Sequence, residues 1–377
     1  MSQQTRRDRA EPNRRVQRVT TVQEIDKLEQ DWIRLHNQAQ TSFFTSWHWC
    51  RLWWANYGDL GTLYIIVVRV DDVVRGIAPF YVCDTTSVKL FQVTTLRFIG
   101  SGGDTSPDDL DIICAPEHRH EVVTAVCKDI TKNDGVSRIH LTDIPAESEL
   151  VGSLSKALKG ARWTRPIYQY HSRLVDDLPG STALFEQQLS RNSRKQKKRR
   201  LKRLHSAGKV HFTMCSNVEQ VEESFKHLQR LHTLRHQSKG QAGKFASTPY
   251  CRFHLSLMKR ALERDELRLL QLSVDNTVIG VEYAFLSNQV LCFFQTGFDP
   301  EYKHLSPGHL LIMHSIDAAI EQGAKQIDLL KGNYDYKQSY AKQKTQSVDI
   351  DVQRHRTLHF ASRAIRRLNR YRKLAFS

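Results

Sequence analysis

A short segment in the last third of the chain, Ser306-Pro307-Gly308-His309, combines the residue types of a helix start that binds anions. The apolar run Val290–Phe294 before it predicts a buried strand, and serine and proline are favoured at the N-cap and the first position of a helix. Free backbone N–H groups at such a terminus attract phosphate, and a glycine there leaves room for the anion. We therefore predict an anion site that comprises Lys303, Ser306, Gly308, His309 and Leu310.

Carboxylates and tyrosines close to this segment in the sequence could transfer protons. Glu282 lies between apolar neighbours in a predicted strand; if it is buried its pKa rises, which suits a general base, and if the strand alternates it faces solvent. Asp328 is expected at the end of the strand after the helix, where it either takes part in chemistry or orients the following turn. The proton donor would be Tyr336 or Tyr340. Because the strands before and after the helix are expected to be adjacent and parallel, Glu282, Asp328 and Tyr336 should converge near Ser306.

The size and composition of the chain predict two domains and a cytoplasmic protein. A length of 377 residues exceeds that of a typical single domain, and a hydrophobic content of 40% is enough for real cores. No stretch approaches the length of an apolar membrane span, and the polar, Arg-rich N-terminus lacks the apolar centre of a signal peptide. The seven cysteines form no CxxC or CxxH pair, so neither a disulfide framework nor a metal site is expected.

The net charge of +16 comes from two segments. Arg191–Arg203 contains nine Lys or Arg residues, Arg354–Lys373 contains eight, and neither contains an acidic residue. The first segment is expected within a helix at Leu184–Leu204, where it either binds an anionic acceptor or nucleic acid, or is a solvated helix face. Because it has no interleaved aromatic residues, stacking on nucleic-acid bases is not indicated, and nucleic acid is not the favoured partner.

A hairpin pattern occurs twice at a constant offset and indicates an internal repeat. Val70–Ile77 matches Val274–Val281, with a turn followed by a glycine at the same place. Strands and helices alternate in both halves, which favours an α/β fold with two copies of one domain, each a mixed, mostly antiparallel sheet flanked by helices. The expected divisions are a disordered basic tail at 1–15, domains at 16–178 and 179–353, and a basic C-terminal helix or tail at 354–377.

The second half of the chain resembles a known family. The segments Asp299-Pro300-Glu301-Tyr302 and Leu305-Ser306-Pro307-Gly308, then Ile327-Asp328-Leu329-Leu330-Lys331-Gly332 and Tyr336-Lys337, look like the loop and closing motif of GNAT-fold acyltransferases. More narrowly, they resemble the bacterial CelD/BcsL-like branch linked to cellulose and exopolysaccharide biosynthesis, which has two GNAT-like domains, as Fem-type transferases do. Three residues depart from the pattern: Pro307 removes one amide donor, Asn333 stands where the branch usually has aspartate, and Tyr334 is also atypical.

The resemblance implies transfer of an acyl group, with acetyl expected, from acyl-coenzyme A to an amine or hydroxyl in polysaccharide or cell-envelope biosynthesis. The helix start would hold the pyrophosphate of the donor, and no metal is implied. The second domain would bind the donor, and a degenerate first domain would help to shape a cleft for a small-molecule or glycan-precursor acceptor. The catalytic residues would be Glu282, Asp328, Tyr336 and Lys337.

Two alternatives remain open on the sequence alone. The first is a Fem-like transferase that uses aminoacyl-tRNA as the donor. The second is a non-catalytic protein on the same scaffold that binds anions or nucleic acid through its basic segments. The sequence predicts neither the identity of the acceptor nor the oligomeric state.

Overall fold

The computed structural model describes residues 13–87, 91–159, 162–237, 240, 243–332 and 335–355, with the backbone alone for residues 86–87, 91–92 and 335–336. The predicted tails at 1–15 and 354–377 therefore fall almost entirely outside the described residues. Arg14 and Arg15 are an exception, and the expectation of disorder is wrong for them. They begin the first strand, where Arg14 pairs in register with Val70.

The chain forms helices and strands in an order that alternates in both halves. The described helices are α1 (Val22–Asp26), α2 (Glu29–Ala39), α3 (Trp47–Tyr57), α4 (Arg119–Lys132), α5 (Glu149–Ala157), α6 (Thr182–Gln188), α7 (Arg191–His205), α8 (Val218–Gln237), α9 (Thr248–Glu263) and α10 (Pro307–Glu321). The described strands are β1 (Arg14–Val19), β2 (Thr62–Leu63), β3 (Ile65–Val70), β4 (Val73–Ala78), β5 (Phe80–Ser87), β6 (Phe91–Phe98), β7 (Ile113–Cys114), β8 (Arg138–Pro145), β9 (Ile167–Asp177), β10 (Val210–Met214), β11 (Leu267–Val274), β12 (Thr277–Ser287), β13 (Val290–Phe298), β14 (Gln326–Lys331) and β15 (Gln343–Gln353). None of the described helices is long and apolar enough to cross a membrane.

The strands build two sheets, and helices flank them, which confirms the α/β class. One sheet has the order β1-β3-β4-β7, and the other has the order β10-β11-β12-β13-β14-β9-β15-β8-β6-β5-β2. Among the described strands, the pairs β6–β8 and β13–β14 are parallel and the other pairs are antiparallel, as expected for mixed, mostly antiparallel sheets.

The two halves of the chain share the larger sheet. β9, from the end of the first half, pairs with β14 of the second half. β15, the last strand, lies between β9 and β8 and pairs with both. A chain that returns to its first half in this way ties the two halves together through backbone hydrogen bonds. The domain boundary at residue 178 stays a prediction. The C-terminal strand β15 pairs with strands that precede this boundary.

The hairpin repeat of the sequence corresponds to a repeat in three dimensions. The turn between β3 and β4 has Asp71 and Asp72 at φ 50° and 60°, and the turn between β11 and β12 has Asp275 and Asn276 at φ 46° and 67°. Two consecutive left-handed residues are typical of type I′ hairpin turns. Each hairpin also has a register shift two or three residues before its turn.

The repeated glycine is explained by helix packing. A Cβ at Gly76 would lie 2.2 Å from Val122 Cγ1 of α4, and a Cβ at Gly280 would lie 2.8 Å from Leu311 Cδ1 of α10. Glycine therefore lets each helix approach the second strand of its hairpin closely. This contact identifies α4 and α10 as corresponding helices of the two halves.

The single helix predicted at Leu184–Leu204 is two helices, α6 and α7. α6 ends at Gln188, and the backbone of Leu189 after it is extended. Ser190 then caps α7 by accepting a hydrogen bond from Ser193 N at 3.0 Å. The cap formed by Ser190 at Ser193 N therefore starts a new helix here, where the sequence pattern predicted one continuous helix.

The strand–loop–helix–strand unit predicted around α10 is confirmed. β13 is followed by a 3₁₀ turn at Pro300–Leu305, then by α10 and by β14, and β14 pairs with β13 in parallel. That pairing covers only Val290–Cys292 with Gln326–Asp328, so the later part of β13 is not paired to β14. α10 covers one face of this part of the sheet through an apolar cluster that includes Ile312 and Ile316.

Candidate functional site

The start of α10 carries the predicted anion site, but its geometry differs from the expected capped terminus. Ser306 occupies the N-cap position with φ 61° and ψ 46°, a left-handed conformation, and its hydroxyl makes no capping hydrogen bond. Serine caps usually have extended backbone, which directs the side chain at the first-turn N–H groups. The prediction of a serine cap is therefore wrong, and the N–H groups of Gly308 and His309 are not engaged by that hydroxyl.

A cavity of about 370 Å³ lies in front of this helix start. Its lining residues come from α7, α8, β13, the 3₁₀ turn and α10: Arg200, Arg235, Thr296, Phe298, Lys303, Ser306, Pro307, Gly308, His309 and Ile312. Four of the five residues predicted from sequence line it together. Leu310 does not, because its side chain is buried and its N–H donates to Ser306 O at 3.3 Å within the helix.

The basic helix α7 lies beside the same helix start, which the sequence did not indicate. Arg203 donates a hydrogen bond to His304 O at 2.6 Å, and Lys197 forms an ion pair with Asp317 of α10 at 3.1 Å. A second cavity of about 370 Å³ adjoins the first, and it is lined by Asn192, Lys195, Gln196, Arg199, Arg200, Arg203 and Ser306. One face of α7 therefore adds cations to the anion site, while other residues of the run are exposed.

Glu282 is buried beneath this cavity. The residue is 0% exposed, so the solvent-facing interpretation is wrong. Its register partner on β11 is Leu270, which packs in one apolar cluster with Leu310 and Leu311, so Glu282 is on the sheet face that α10 covers. Its register partner on β13 is Thr296, which lines the cavity.

The Glu282 carboxyl group has one satisfied and one unsatisfied oxygen. Thr296 Oγ1 donates to Oε2 at 2.7 Å, whereas Oε1 has no hydrogen-bond partner among the described residues. Burial raises the pKa of Glu282 to about 8, against smaller lowering effects of the Thr296 hydroxyl and Arg235. The carboxyl group is therefore mostly protonated at pH 7, which makes it a proton donor before it is a base.

Asp328 lies elsewhere, and the expected convergence with Glu282 near Ser306 is wrong. Asp328 stands in the middle of β14 rather than at its end, opposite Cys292 of β13. Cys292 belongs to the large apolar cluster on the other face of the sheet from α10, so Asp328 and Glu282 are on opposite faces. The bulge in β13 and the buried position of β14 could not be read from periodicity.

The surroundings of Asp328 are those of a buried ionic cluster between the halves. Its Oδ1 accepts from Leu330 N at 2.8 Å and lies 3.6 Å from Arg173 Nε, and Arg173 also pairs with Asp109. Burial raises the pKa of Asp328 to about 6, and the Arg173 guanidinium opposes that shift. The arrangement holds β14 against β9 and the loop that contains Asp109.

Lys337 stabilises the turn after β14 and does not reach the cavity. Its ammonium group donates to Leu330 O at 3.1 Å and to Lys331 O at 2.9 Å, and burial lowers its pKa. Tyr336 lies in the 3₁₀ turn Asp335–Ser339. Its side chain is outside the described atoms, so its catalytic role stays a prediction.

Tyr340, the other predicted proton donor, is at the helix start. Its hydroxyl forms a hydrogen bond with His309 Nδ1. Both residues line a small cavity of about 140 Å³, and Arg200 lines the same cavity. Burial, and to a lesser extent Arg200, lowers the pKa of His309. A neutral imidazole bonded to a phenol is therefore present beside the anion site. The described side chains form no group of His, Cys, Asp or Glu that could hold a metal ion.

Comparisons with known proteins agree with this architecture. Residues 191–338 match the family model described as an acetyltransferase (GNAT) domain. No curated protein sequence matches the chain.

Three solved structures are similar in fold over most of the chain. FemX has a TM-score of 0.57 at 10% identity, over 85% of this chain and 95% of its own. The C-terminal domain of a putative lysylphosphatidylglycerol synthetase from Agrobacterium fabrum has a TM-score of 0.53 at 11% identity, over 88% and 92%. A conserved protein of unknown function from Bacteroides thetaiotaomicron has a TM-score of 0.50 at 9% identity, over 88% and 97%. The chain thus has the overall fold of FemX, and the segment that contains α7, the cavity and α10 is the one similar to the GNAT acetyltransferase domain.

Proposed function

We propose that this protein transfers an acyl group, with acetyl as the expected group, from acyl-coenzyme A to an amine or hydroxyl acceptor. The observation that carries the proposal is the start of α10. Gly308 and His309 of its first turn line a cavity whose wall also contains Arg200, Arg235 and Lys303. Backbone donors at a helix N-terminus together with cations form a binding site for a pyrophosphate.

The charge of the site supports a phosphate-bearing donor rather than a neutral one. None of the described residues that line the two adjoining cavities is acidic, whereas Lys195, Arg199, Arg200, Arg203 and Lys303 all contribute positive charge. A cleft whose charged lining side chains all have the same sign concentrates ligands of the opposite charge. The two cavities together would accommodate a ligand with more than one phosphate group.

The chemistry requires two proton movements. When an acceptor amine or hydroxyl attacks the thioester carbonyl carbon, the C–S bond breaks, the sulfur gains a proton and the acceptor atom loses one. Thr296 lines the cavity and donates a hydrogen bond to the protonated Glu282. As the C–S bond breaks, the Thr296 hydroxyl gives its proton to sulfur and takes the proton of the Glu282 carboxyl group, so the hydrogen bond between the two side chains reverses its direction. The resulting carboxylate then accepts the proton from the acceptor. The Tyr340–His309 pair is the second candidate for the proton to sulfur.

The corresponding position in the first half lacks these properties, which supports a donor site in the second half alone. Ahead of α4, the buried carboxylate of Asp111 accepts hydrogen bonds from Arg119 and from Ser148 Oγ at 2.7 Å. The first turn of α4 also contains Glu121, which is paired with Arg14. An anionic donor would be repelled by these carboxylates. The first half is therefore assigned to binding of the acceptor.

A second candidate donor, aminoacyl-tRNA, is favoured by one specific observation. α7 carries nine cations, and several that do not line the cavities, among them Lys198 and Lys202, are exposed. Such a helix could follow the phosphates of a polynucleotide beyond the cavity.

The most detailed parts of the proposal are the identity of the acceptor and the biological role. The resemblance of the closing motif to the CelD/BcsL-like branch supports a small-molecule or glycan-precursor acceptor in polysaccharide or envelope biosynthesis, in the cytoplasm. The shared sheet supports an acceptor cleft along the contact between the halves.

A binding comparison tests the donor assignment. Acetyl-coenzyme A and S-acetylpantetheine share the thioester, but only the former carries the pyrophosphate. We expect calorimetry to show at least tenfold tighter binding of acetyl-coenzyme A, with an affinity that falls as salt rises. Equal affinities, or no binding of either, would contradict the assignment. Formation of a complex with aminoacyl-tRNA that excludes acetyl-coenzyme A would instead favour the second donor.

A further inference from the structure

The proposed function does not use a groove on the first half of the molecule. It has a volume of about 710 Å³ and lies between α4 and α5. None of its lining residues lines the cavities at α10. It is therefore a separate feature with chemistry of its own.

The rim of the groove is cationic. Lys128, Lys132, Lys156, Lys159 and Arg162 line it and are exposed, and none of the described lining residues is acidic. Two carboxylates are paired with residues of the lining: Asp134 with Arg162, and also with Arg354, and Glu149 with His120. The four lysines of the rim have no described ion-pair partner, and this excess of positive charge selects an anionic occupant.

The floor of the groove is apolar. Cys127, Leu158 and Trp163 line it and are at most 5% exposed. The indole N–H of Trp163 donates to Thr131 O at 3.2 Å, and the guanidinium of Arg354 lies 4.7 Å from the ring centroid. Because Arg354 covers the ring, the tryptophan does not offer a free face to a nucleic-acid base. A cationic rim above an apolar floor fits an anion with an attached hydrocarbon part.

The chain leaves the described structure at the edge of this groove. His355 N donates to Arg162 O at 3.0 Å, and it is followed by residues 356–377. That sequence has seven Lys or Arg residues and no acidic residue, with Leu358, Phe360, Ile365 and Leu368 among them. Basic sequences with interspersed apolar residues are typical of segments that bind anionic lipid surfaces.

We propose that this groove binds the headgroup of an anionic phospholipid and holds the protein at the surface of an acidic bilayer. The lysines of the rim contact the lipid phosphate, and the apolar floor contacts the first part of an acyl chain. This site is independent of the donor site at α10.

Co-flotation of the full-length protein with vesicles tests the proposal. Vesicles of equal parts phosphatidylglycerol and phosphatidylcholine should carry the protein, and vesicles of phosphatidylcholine alone should not. The variant Lys128→Gln/Lys132→Gln/Lys156→Gln removes three rim charges and should lower the partition coefficient on the order of 100-fold. The matched control Arg194→Gln/Lys198→Gln/Lys202→Gln removes three charges from α7 outside the described cavities and should change it less than about threefold.

Circular dichroism melting of both variants confirms that they are folded before vesicles are added. The proposal would be overturned if the wild-type protein did not float with acidic vesicles, or if the two triple variants lost binding equally. It would also be overturned if the rim variant bound fully while a chain that ends at His355 did not bind. The last result would assign lipid binding to residues 356–377 alone.

Discussion

Glu282 shows how one residue can connect stability to chemistry. Its carboxyl group is enclosed between the sheet and α10, and the hydroxyl of Thr296 is its described hydrogen-bond donor. A buried acid with an unsatisfied oxygen is costly for the fold in its ionised form. Such a cost is common at functional sites, because it keeps a proton available at neutral pH.

The raised pKa of Glu282 predicts a pH dependence of stability. Between its ordinary value of 4.5 and about 8, the unfolded chain has released this proton while the folded chain retains it, so stability falls as pH rises through this window. Glu282→Gln removes the titration and keeps an acceptor for Thr296. The variant should therefore gain stability relative to wild type as pH rises from 5 to 8.5, by up to roughly 4 kcal/mol.

Urea unfolding at several pH values checks this prediction. Thr213→Val, a change at an exposed hydroxyl on β10 opposite Gln271, serves as a control whose difference from wild type should not vary with pH. A constant difference between Glu282→Gln and wild type across the range would show that Glu282 is not protonated in the folded state.

At the scale of elements, two helices of opposite character form the proposed donor site. α10 supplies N–H groups at its start and an apolar face against the sheet, and α7 supplies cations on the face next to that start. The run of cations would be unfavourable alone, because like charges repel along a helix. Its contacts to His304 and Asp317, and the anion proposed between the helices, offset that repulsion.

Arg200 is the residue of α7 that lines all three cavities at the helix start. Arg200→Gln should weaken binding of acetyl-coenzyme A about tenfold, since one charge-assisted hydrogen bond is lost, and should reduce the salt dependence of binding. Lys202→Gln, two residues away and outside these cavities, should leave the affinity within about twofold. Calorimetry at two salt concentrations measures both quantities, and equal effects of the two substitutions would count against a specific role for α7.

The glycines of the two hairpins should be needed for packing. Gly76→Ala and Gly280→Ala place a Cβ 2.2 Å and 2.8 Å from side-chain atoms of the packed helices, so each should lower the free energy of unfolding by about 1–3 kcal/mol. Gly152→Ala in α5 meets nothing within 4 Å and should raise it by about 0.5–1 kcal/mol. Denaturant unfolding of the three variants checks the pattern, and a neutral Gly280→Ala would refute the close approach of α10.

Local signals in the sequence were sufficient for some elements and not for others. The start of α10, the parallel strands around it and the repeated hairpin follow from proline, glycine and apolar runs within a few residues of each other. The left-handed Ser306 depends on the preceding 3₁₀ turn, and the opposite faces of Glu282 and Asp328 depend on strand pairing and a bulge. The contribution of α7 depends on a contact between helices that are about a hundred residues apart, which periodicity does not encode.

At the scale of the whole molecule, strand exchange makes the halves interdependent. β15 pairs with β9 and β8, and Arg138 of β8 forms an ion pair with Asp351 of β15 that lowers the pKa of Asp351. The last strand of the second half is therefore part of the core of the first. Neither half is expected to be stable in isolation at the predicted division.

Two truncations test this interdependence. A chain that ends at His355 keeps β15 and should unfold cooperatively with a melting temperature close to that of the full chain. A chain that ends at Lys342 lacks β15 and should lose cooperative unfolding, because β8 and β9 would expose unpaired edges. Near-UV circular dichroism during thermal unfolding distinguishes the two. A large loss of stability in the longer truncation product would show that residues 356–377 dock on the fold.

The central claim is that the start of α10 binds the pyrophosphate of the donor, and Gly308 tests it most directly. A Cβ at this position would meet Phe298 at 3.6 Å, an ordinary contact, so the fold tolerates a side chain there. We expect calorimetric titration with acetyl-coenzyme A to show binding to wild type, weaker binding to Gly308→Ala, and none to Gly308→Glu, whose bulk and negative charge occupy the phosphate position. Unchanged affinity in Gly308→Glu, with an unchanged melting temperature, would contradict the account.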